Sequence, residues 1–148
     1  MTPVIELRAA EPADYAAVTT LLAQAGLPVE GVADQFGDGY VVACGAGALA
    51  GVAAIERHGN CGLLRSVVVA PGERSRGLAA RLVEQRLAWA SAQGLSAVYL
   101  LTTTAADYFP RFGFERIARE EAPAEIRAAR EFASSCPASA VLMRRRCT

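Results

Sequence analysis

The sequence predicts an α/β fold with a mixed, mostly antiparallel sheet flanked by helices. Three observations carry that expectation. Leu63–Val69 and Ala97–Thr103 are apolar runs of strand length, the first rich in β-branched residues, and both read as buried strands. Between them, Leu78, Leu82, Val83, Leu87 and Ala90 recur on one side of a helical pattern, so the two strands are predicted to be parallel through a right-handed crossover. Ahead of this unit, short apolar stretches separated by glycine-rich turns read as antiparallel neighbours.

Val4–Arg8 reads as a first strand. Glu11-Pro12-Ala13-Asp14 offers an early proline and first-turn acids, and Tyr15, Val18, Leu21 and Leu22 continue a helix to about Ala25, stopped by Gly26-Leu27-Pro28. Val29–Phe36 is ambiguous between a short helix walling a pocket and a plain connector. Tyr40–Cys44 and Leu49–Glu56 form a hairpin around Gly45–Ala48. Gly45-x-Gly47-x-x-Ala50 also matches a loose dinucleotide fingerprint, but the next residues, Gly51-Val52-Ala53-Ala54-Ile55, are strand-like, whereas that fingerprint must open a helix. Arg57–Asn60 turns the chain into the Leu63–Val69 strand, which Pro71-Gly72 ends. A helix is expected from about Arg74 to Gln93, with Gly94 closing it. After the second parallel strand come a short helix at Ala105–Phe112, a strand opening at Gly113-Phe114, a helix at Pro123–Phe132 and a closing strand at Ala138–Arg144.

Composition narrows the function. A chain of 148 residues, 53% hydrophobic and 20% charged, reads as one globular domain over residues 1–148. Its net charge is zero, which argues against a nucleic-acid partner. All fifteen basic residues are arginines, which excludes a lysine Schiff base and a Walker-type phosphate lysine. The N-terminus has no signal-length apolar core and no run approaches membrane-spanning length, so a cytoplasmic protein with no membrane partner is expected. Cys44, Cys61, Cys136 and Cys147 show no CxxC spacing, and there is a single histidine, His58, so no metal site is expected and the cysteines read as reduced thiols.

Chemistry concentrates after the Leu63–Val69 strand. A strand, a tight turn and Gly77 inside a first helical turn make an anion site, because the first N–H groups of a helix lack internal partners and sit at the positive end of its dipole. Gly77 has no side chain to obstruct a ligand, and Arg74 and Arg76 add charge. The alternative is a buried strand feeding an amphipathic helix with an incidental glycine.

VVVAPGERSRGLA followed by YFPRFGF resembles the GNAT superfamily of acetyl-CoA-dependent acetyltransferases. Its signature Gln/Arg-x-x-Gly-x-Gly/Ala appears as Arg74, Gly77 and Ala79; its aromatic pair, spacer and Gly-Phe appear as Tyr108-Phe109 and Gly113-Phe114. LLTTTAADYFPRFGF and APAEIRAAREFASSCPASAVLM further resemble the small acetyltransferases associated with bacterial arsenic-resistance operons, with a more distant similarity to the acetyltransferase domain of N-acetylglutamate synthases.

The resemblance implies a central splay between the two parallel strands. It implies acetyl-CoA as cosubstrate, its pantetheine arm pairing with backbone near Val67, Val68 and Val69. The pyrophosphate would take the N–H groups of Ser75, Arg76, Gly77, Leu78, Ala79 and Ala80, with Arg74 beside them. Direct attack by an amine then needs a base, a donor that polarises the thioester carbonyl, met by the N–H of Val69 or its neighbour, and optionally an acid for the leaving thiolate. Many family members place a tyrosine four residues before the Gly of Gly-Phe; here that residue is Phe109. Tyr108 is the candidate acid, with core packing as its alternative. Glu56 and His58 are the candidate bases, histidine having a suitable intrinsic pKa, and His58 otherwise reads as a turn residue.

Arg65 interrupts an apolar strand, which is costly unless its charge is paired. It is either a clamp for a substrate carboxylate or half of a salt bridge. Arg127 and Arg130, at i,i+3 spacing, are a second clamp or a solvated face. Together with the synthase-like tail they favour a small-molecule amine, glutamate-like or arsenical, as acceptor. The rivals are a protein N-acetyltransferase, a non-catalytic acyl-CoA-binding module, and metalloid binding through cysteine thiolates. Family habit also implies a homodimer through the terminal strands.

Overall fold

The structure, a computed structural model, describes residues 5–27, 29, 31–45, 47–74, 77–129 and 140–147. Seven strands form one sheet: β1 (Glu6–Ala9), β2 (Tyr40–Gly45), β3 (Ala48–His58), β4 (Cys61–Val69), β5 (Ala97–Thr102), β6 (Glu115–Ile117) and β7 (Val141–Arg146). The order is β1-β2-β3-β4-β5-β7-β6. The helices are α1 (Tyr15–Gln24), α2 (Leu78–Ala92) and a single turn, α3 (Ala124–Arg127). The mixed α/β fold expected from sequence is therefore present, with β4–β5 as its parallel pair and antiparallel pairing for β1–β2, β2–β3, β5–β7 and β6–β7.

The chain packs as two compact units, Met1–Ala54 with Ser66–Arg86, and Ile55–Arg65 with Leu87–Thr148. In the first unit, strand alternation sends successive residues of β2 to opposite faces. Tyr40 and Val42 join Val18, Leu21 and Leu22 of α1 in one apolar cluster. Val41 and Ala43 join Leu78 and Leu82 of α2 in another, which also takes Val69. A Cβ at Gly51 would meet the Leu82 Cδ1 and the Val68 carbonyl oxygen, each at 3.0 Å, so any larger residue would push these neighbours of α2 and β4 aside by a few tenths of an ångström. Asp14 anchors the start of α1: its Oδ2 accepts from the Glu11 backbone N–H at 2.7 Å and from Arg8 at 2.8 Å.

In the second unit the β4–β5 pairing runs Cys61↔Ala97, Gly62↔Val98 and Leu63↔Tyr99. On its other edge β5 pairs with β7 along its whole length, from Ala97↔Arg146 to Thr102↔Val141. A cluster of Leu63, Tyr99, Ile126 and Leu142 forms the core there.

Several boundaries differ from the expectation. β3 extends to His58, so the turn shrinks to Gly59-Asn60 and His58 is a strand residue. β4 correspondingly starts at Cys61. α2 starts at Leu78, not Arg74, because Pro71–Glu73 forms a 3-10 turn and Arg74 is extended at φ −71°, ψ 156°. The segment before α1 is likewise a 3-10 turn, Pro12–Asp14, and the ambiguous 29–36 segment resolves to one at Val32–Gln35. The helix expected at Ala105–Phe112 is only a 3-10 turn, Phe109–Phe112, because Pro110 lacks the N–H an α-helix needs. The closing strand is β7, shifted to Val141–Arg146. Ser75, Arg76, Arg130 and Cys136 lie outside the described residues.

Candidate functional site

The candidate cofactor segment lies wholly in the first unit. Val67 and Val69 point to the α2 face of β4, while Val68 packs with α1. Just before them, Ser66 has φ +59°, the left-handed region that L residues rarely adopt in a strand. Its hydroxyl is buried and has no hydrogen-bond partner. Both features carry a cost, and such costs gather where a fold bends a strand for a purpose.

After β4, the Ala70 N–H donates to the Ala50 carbonyl at 2.8 Å, holding the strand end in place. Arg74 turns back, its Nε donating to the Val69 carbonyl at 3.2 Å. Gly77 has φ +75°, and a Cβ built on it meets nothing within 4 Å. The backbone therefore takes a conformation suited to glycine and faces open space. The Arg81 N–H donates to the Gly77 carbonyl at 3.2 Å. α2 starts at Leu78, so the N–H groups of Leu78, Ala79 and Ala80 have no carbonyl within the helix to donate to. This is the geometry of an anion-binding helix start. A separate apolar groove of about 400 Å³ lies in the same unit between α1 and Ala70-Pro71, with none of the sequence-predicted residues in its lining.

The second unit brings Glu56, His58 and Arg65 together. Glu56 and His58 are two residues apart on β3 and so share a face. Glu56 Oε1 lies 3.2 Å from His58 Nε2. Arg65 NH1 on β4 donates to Glu56 Oε2 at 2.9 Å. Side-chain exposure rises outward along this chain, from 2% at Arg65 to 7% at Glu56 and 22% at His58. Burial pushes the Glu56 carboxyl up, but the His58 hydrogen bond and the Arg65 charge outweigh it and hold the carboxyl below its ordinary range.

The remaining candidates sit elsewhere. Phe109 is buried against Phe114, with ring centroids 5.7 Å apart. Tyr108 is half-buried, and the Arg111 guanidinium stacks on its ring at 4.2 Å from the centroid. Arg127 is exposed on α3. Among the described residues no group of three or more His, Cys, Asp or Glu is arranged to hold a metal ion, and no helix is long and apolar enough to cross a membrane.

Sequence reasoning missed two features. Arg86, on the apolar side of α2, is only 1% exposed; its NH1 donates to the Asp38 carbonyl at 2.7 Å and its Nε to Gln85 Oε1 at 2.8 Å. Burial lowers its pKa to about 10. Its position between Val83 and Leu87 was the available signal. The Ser66 backbone had no signal, because the surrounding apolar run reads as an unbroken strand.

Solved structures with this fold include N-acetylglutamate synthase from Neisseria gonorrhoeae complexed with coenzyme A and L-arginine, at 21% identity and TM-score 0.79 over 97% of this chain and 33% of that one. The chain thus spans about a third of that synthase's length. They also include Rv2747 from Mycobacterium tuberculosis in complex with CoA and NLQ, at 20% identity and TM-score 0.82 over 97% of this chain and 99% of that one. The ribosomal-protein-S18-alanine N-acetyltransferase from Escherichia coli matches at 17% identity and TM-score 0.76, over 98% and 95% of the two chains. No curated protein matches the sequence. The acetyltransferase (GNAT) family model matches residues 8–114, which include β4, the Gly77 turn, α2 and the Gly113-Phe114 step. The chain belongs to the acetyltransferase (GNAT) family.

Proposed function

We propose that this protein transfers the acetyl group of acetyl-CoA to the amine of a small carboxylate-bearing acceptor, a glutamate-like or arsenical amino acid. The observation that carries the cofactor half is Gly77, left-handed and facing open space at the start of α2. A pyrophosphate there would take the backbone N–H groups of Ser75–Ala80 expected from the family motif, with Arg74 adding charge. Backbone of Val67–Val69 would pair with the pantetheine arm. Acetyl-CoA supplies an activated thioester. The Val69 N–H would polarise its carbonyl, and the acceptor nitrogen forms the new N–C bond as the C–S bond breaks. Tyr108 would meet the leaving thiolate only through its hydroxyl, since its ring face is taken by Arg111.

The acceptor half rests on the synthase-like fold and on the arginines Arg65, Arg127 and Arg130. Arg65 already donates to Glu56, so exposed Arg127, with Arg130, is the better carboxylate clamp. The two units are read as parts of one acetyltransferase domain over residues 1–148, working in the cytoplasm. A second reading, acetylation of a protein N-terminus, is favoured by the likeness to the S18-alanine acetyltransferase over nearly the full length of both chains.

The test is release of free thiol from acetyl-CoA over a panel of amino acids, organoarsenical amino acids and short peptides. Turnover confined to carboxylate-bearing small amines supports the first reading. Turnover confined to peptides overturns it in favour of the second. Tight acetyl-CoA binding with no turnover on any amine points to a binding module.

A further inference from the structure

We propose that the Ser66 hydroxyl is a ligand group of the cofactor segment: it donates a hydrogen bond to a carbonyl of the pantetheine arm of acetyl-CoA. This rests on the reading of Val67–Ala80 as the acetyl-CoA segment, and it adds a side chain to a site otherwise built from backbone.

Two costs meet at this residue. Ser66 has φ +59°, and every other described residue with positive φ is a glycine. The chain thus places the residue that adopts this region freely at each such position except here. The second cost is the hydroxyl. Ser66 is 8% exposed, and its Oγ has no hydrogen-bond partner. Arg144 also holds a buried Nε without a partner, but its NH2 donates to Glu115 at 3.0 Å. Serine has a single polar side-chain atom, so nothing compensates at Ser66. Glycine would carry neither cost, so what the serine adds is the hydroxyl itself. A strained backbone and an unsatisfied buried hydroxyl at one residue mark a group held ready for a ligand.

The position identifies that ligand. Ser66 belongs to the first unit and immediately precedes Val67–Val69 on β4. The pairing of β4 with β5 ends at Leu63↔Tyr99, ahead of Ser66. An extended arm that pairs with the Val67–Val69 backbone runs past the Ser66 side chain. A pantetheine arm offers uncharged amide carbonyls, which accept from a hydroxyl. One torsion, χ1, turns the hydroxyl onto the arm.

The test is calorimetric titration of Ser66→Ala and Ser66→Gly with acetyl-CoA, each paired with a thermal melt. Both variants should bind acetyl-CoA about 3–10-fold more weakly than the parent, the worth of one neutral hydrogen bond. Ser66→Gly should nevertheless melt above the parent, so that affinity falls while stability rises. ADP carries a pyrophosphate without the arm. Its binding, read by displacement of acetyl-CoA, should be the same in parent and variants. Parental acetyl-CoA affinity in either variant overturns the proposal. So does an equal loss for ADP, or a Ser66→Gly that melts below the parent, since each reports a hydroxyl that serves the fold. A parent that does not bind acetyl-CoA is a different failure: it overturns the cofactor reading itself, and the role of Ser66 with it.

Discussion

Arg65 and Glu56 form a buried ion pair, and removing one member should cost far more than removing both. Side-chain exposures of 2% and 7% leave little water to resolvate an orphaned charge. Breaking such a pair from one side costs about 3–5 kcal/mol, while replacing both members by apolar residues of similar volume is often neutral. Arg65→Met leaves the Glu56 carboxylate with only His58 as a partner, so about 3–5 kcal/mol is expected from it. Against a typical stability of about 5–15 kcal/mol, that loss is a large fraction of the total. Arg65→Met/Glu56→Leu should recover most of it. The assay is urea unfolding at neutral pH, read as a midpoint shift at constant slope. The pair also has a pH signature. The Glu56 carboxyl is held below its unfolded value, so the stability it contributes is complete above about pH 4.3 and disappears as pH falls through its folded value. Arg65→Met should flatten that acid limb. A single-mutant loss below about 1 kcal/mol, or a double mutant as unstable as the sum of the singles, would refute the reasoning.

Ser66→Gly should raise stability by about 1 kcal/mol, since it relieves the left-handed backbone at φ +59° and removes an unpartnered hydroxyl; a lower Tm in a thermal melt would contradict this. Arg86→Met should lose about 2 kcal/mol in urea unfolding, because the Asp38 carbonyl loses a charged donor at 2.7 Å. Phe109→Ala should cost about 3–5 kcal/mol in the same unfolding assay, as expected of a buried aromatic and not of an exposed acid–base position.

What could be read from sequence was the part that repeats with a period. The apolar alternation of β2, the run of β4 and the 3.6-residue stripe on α2 each state their own element. The hairpin turns and the Gly77 step were legible through glycine. What was not legible turned on single side chains or single torsions. The first turn of α2 is displaced from its expected place because Arg74 and its neighbours carry no signal distinguishing an extended residue from a helical one. The 105–112 segment reads as a short helix, and Pro110 restricts it to the 3-10 turn Phe109–Phe112. For Arg65 the sequence shows a charge inside an apolar strand and leaves its partner open, since Glu56 lies across a turn that is two residues shorter than its composition suggests. The acceptor stays open for a different reason: acceptor recognition depends on where exposed side chains such as Arg127 meet a ligand, and no periodicity encodes that.

The central claim is that the Val67–Ala80 segment binds acetyl-CoA, and calorimetric titration of the parent and of Gly77→Glu tests it most directly. A Cβ at Gly77 meets nothing within 4 Å beyond its chain neighbours, so lost binding in a variant that still folds would report the ligand. The φ of +75° adds a backbone cost of about 1–2 kcal/mol, so a melt of the variant should accompany the titration. The account predicts that the parent binds and that the folded variant does not, through bulk and repulsion at the pyrophosphate. Equal binding by both, or by neither, would contradict it.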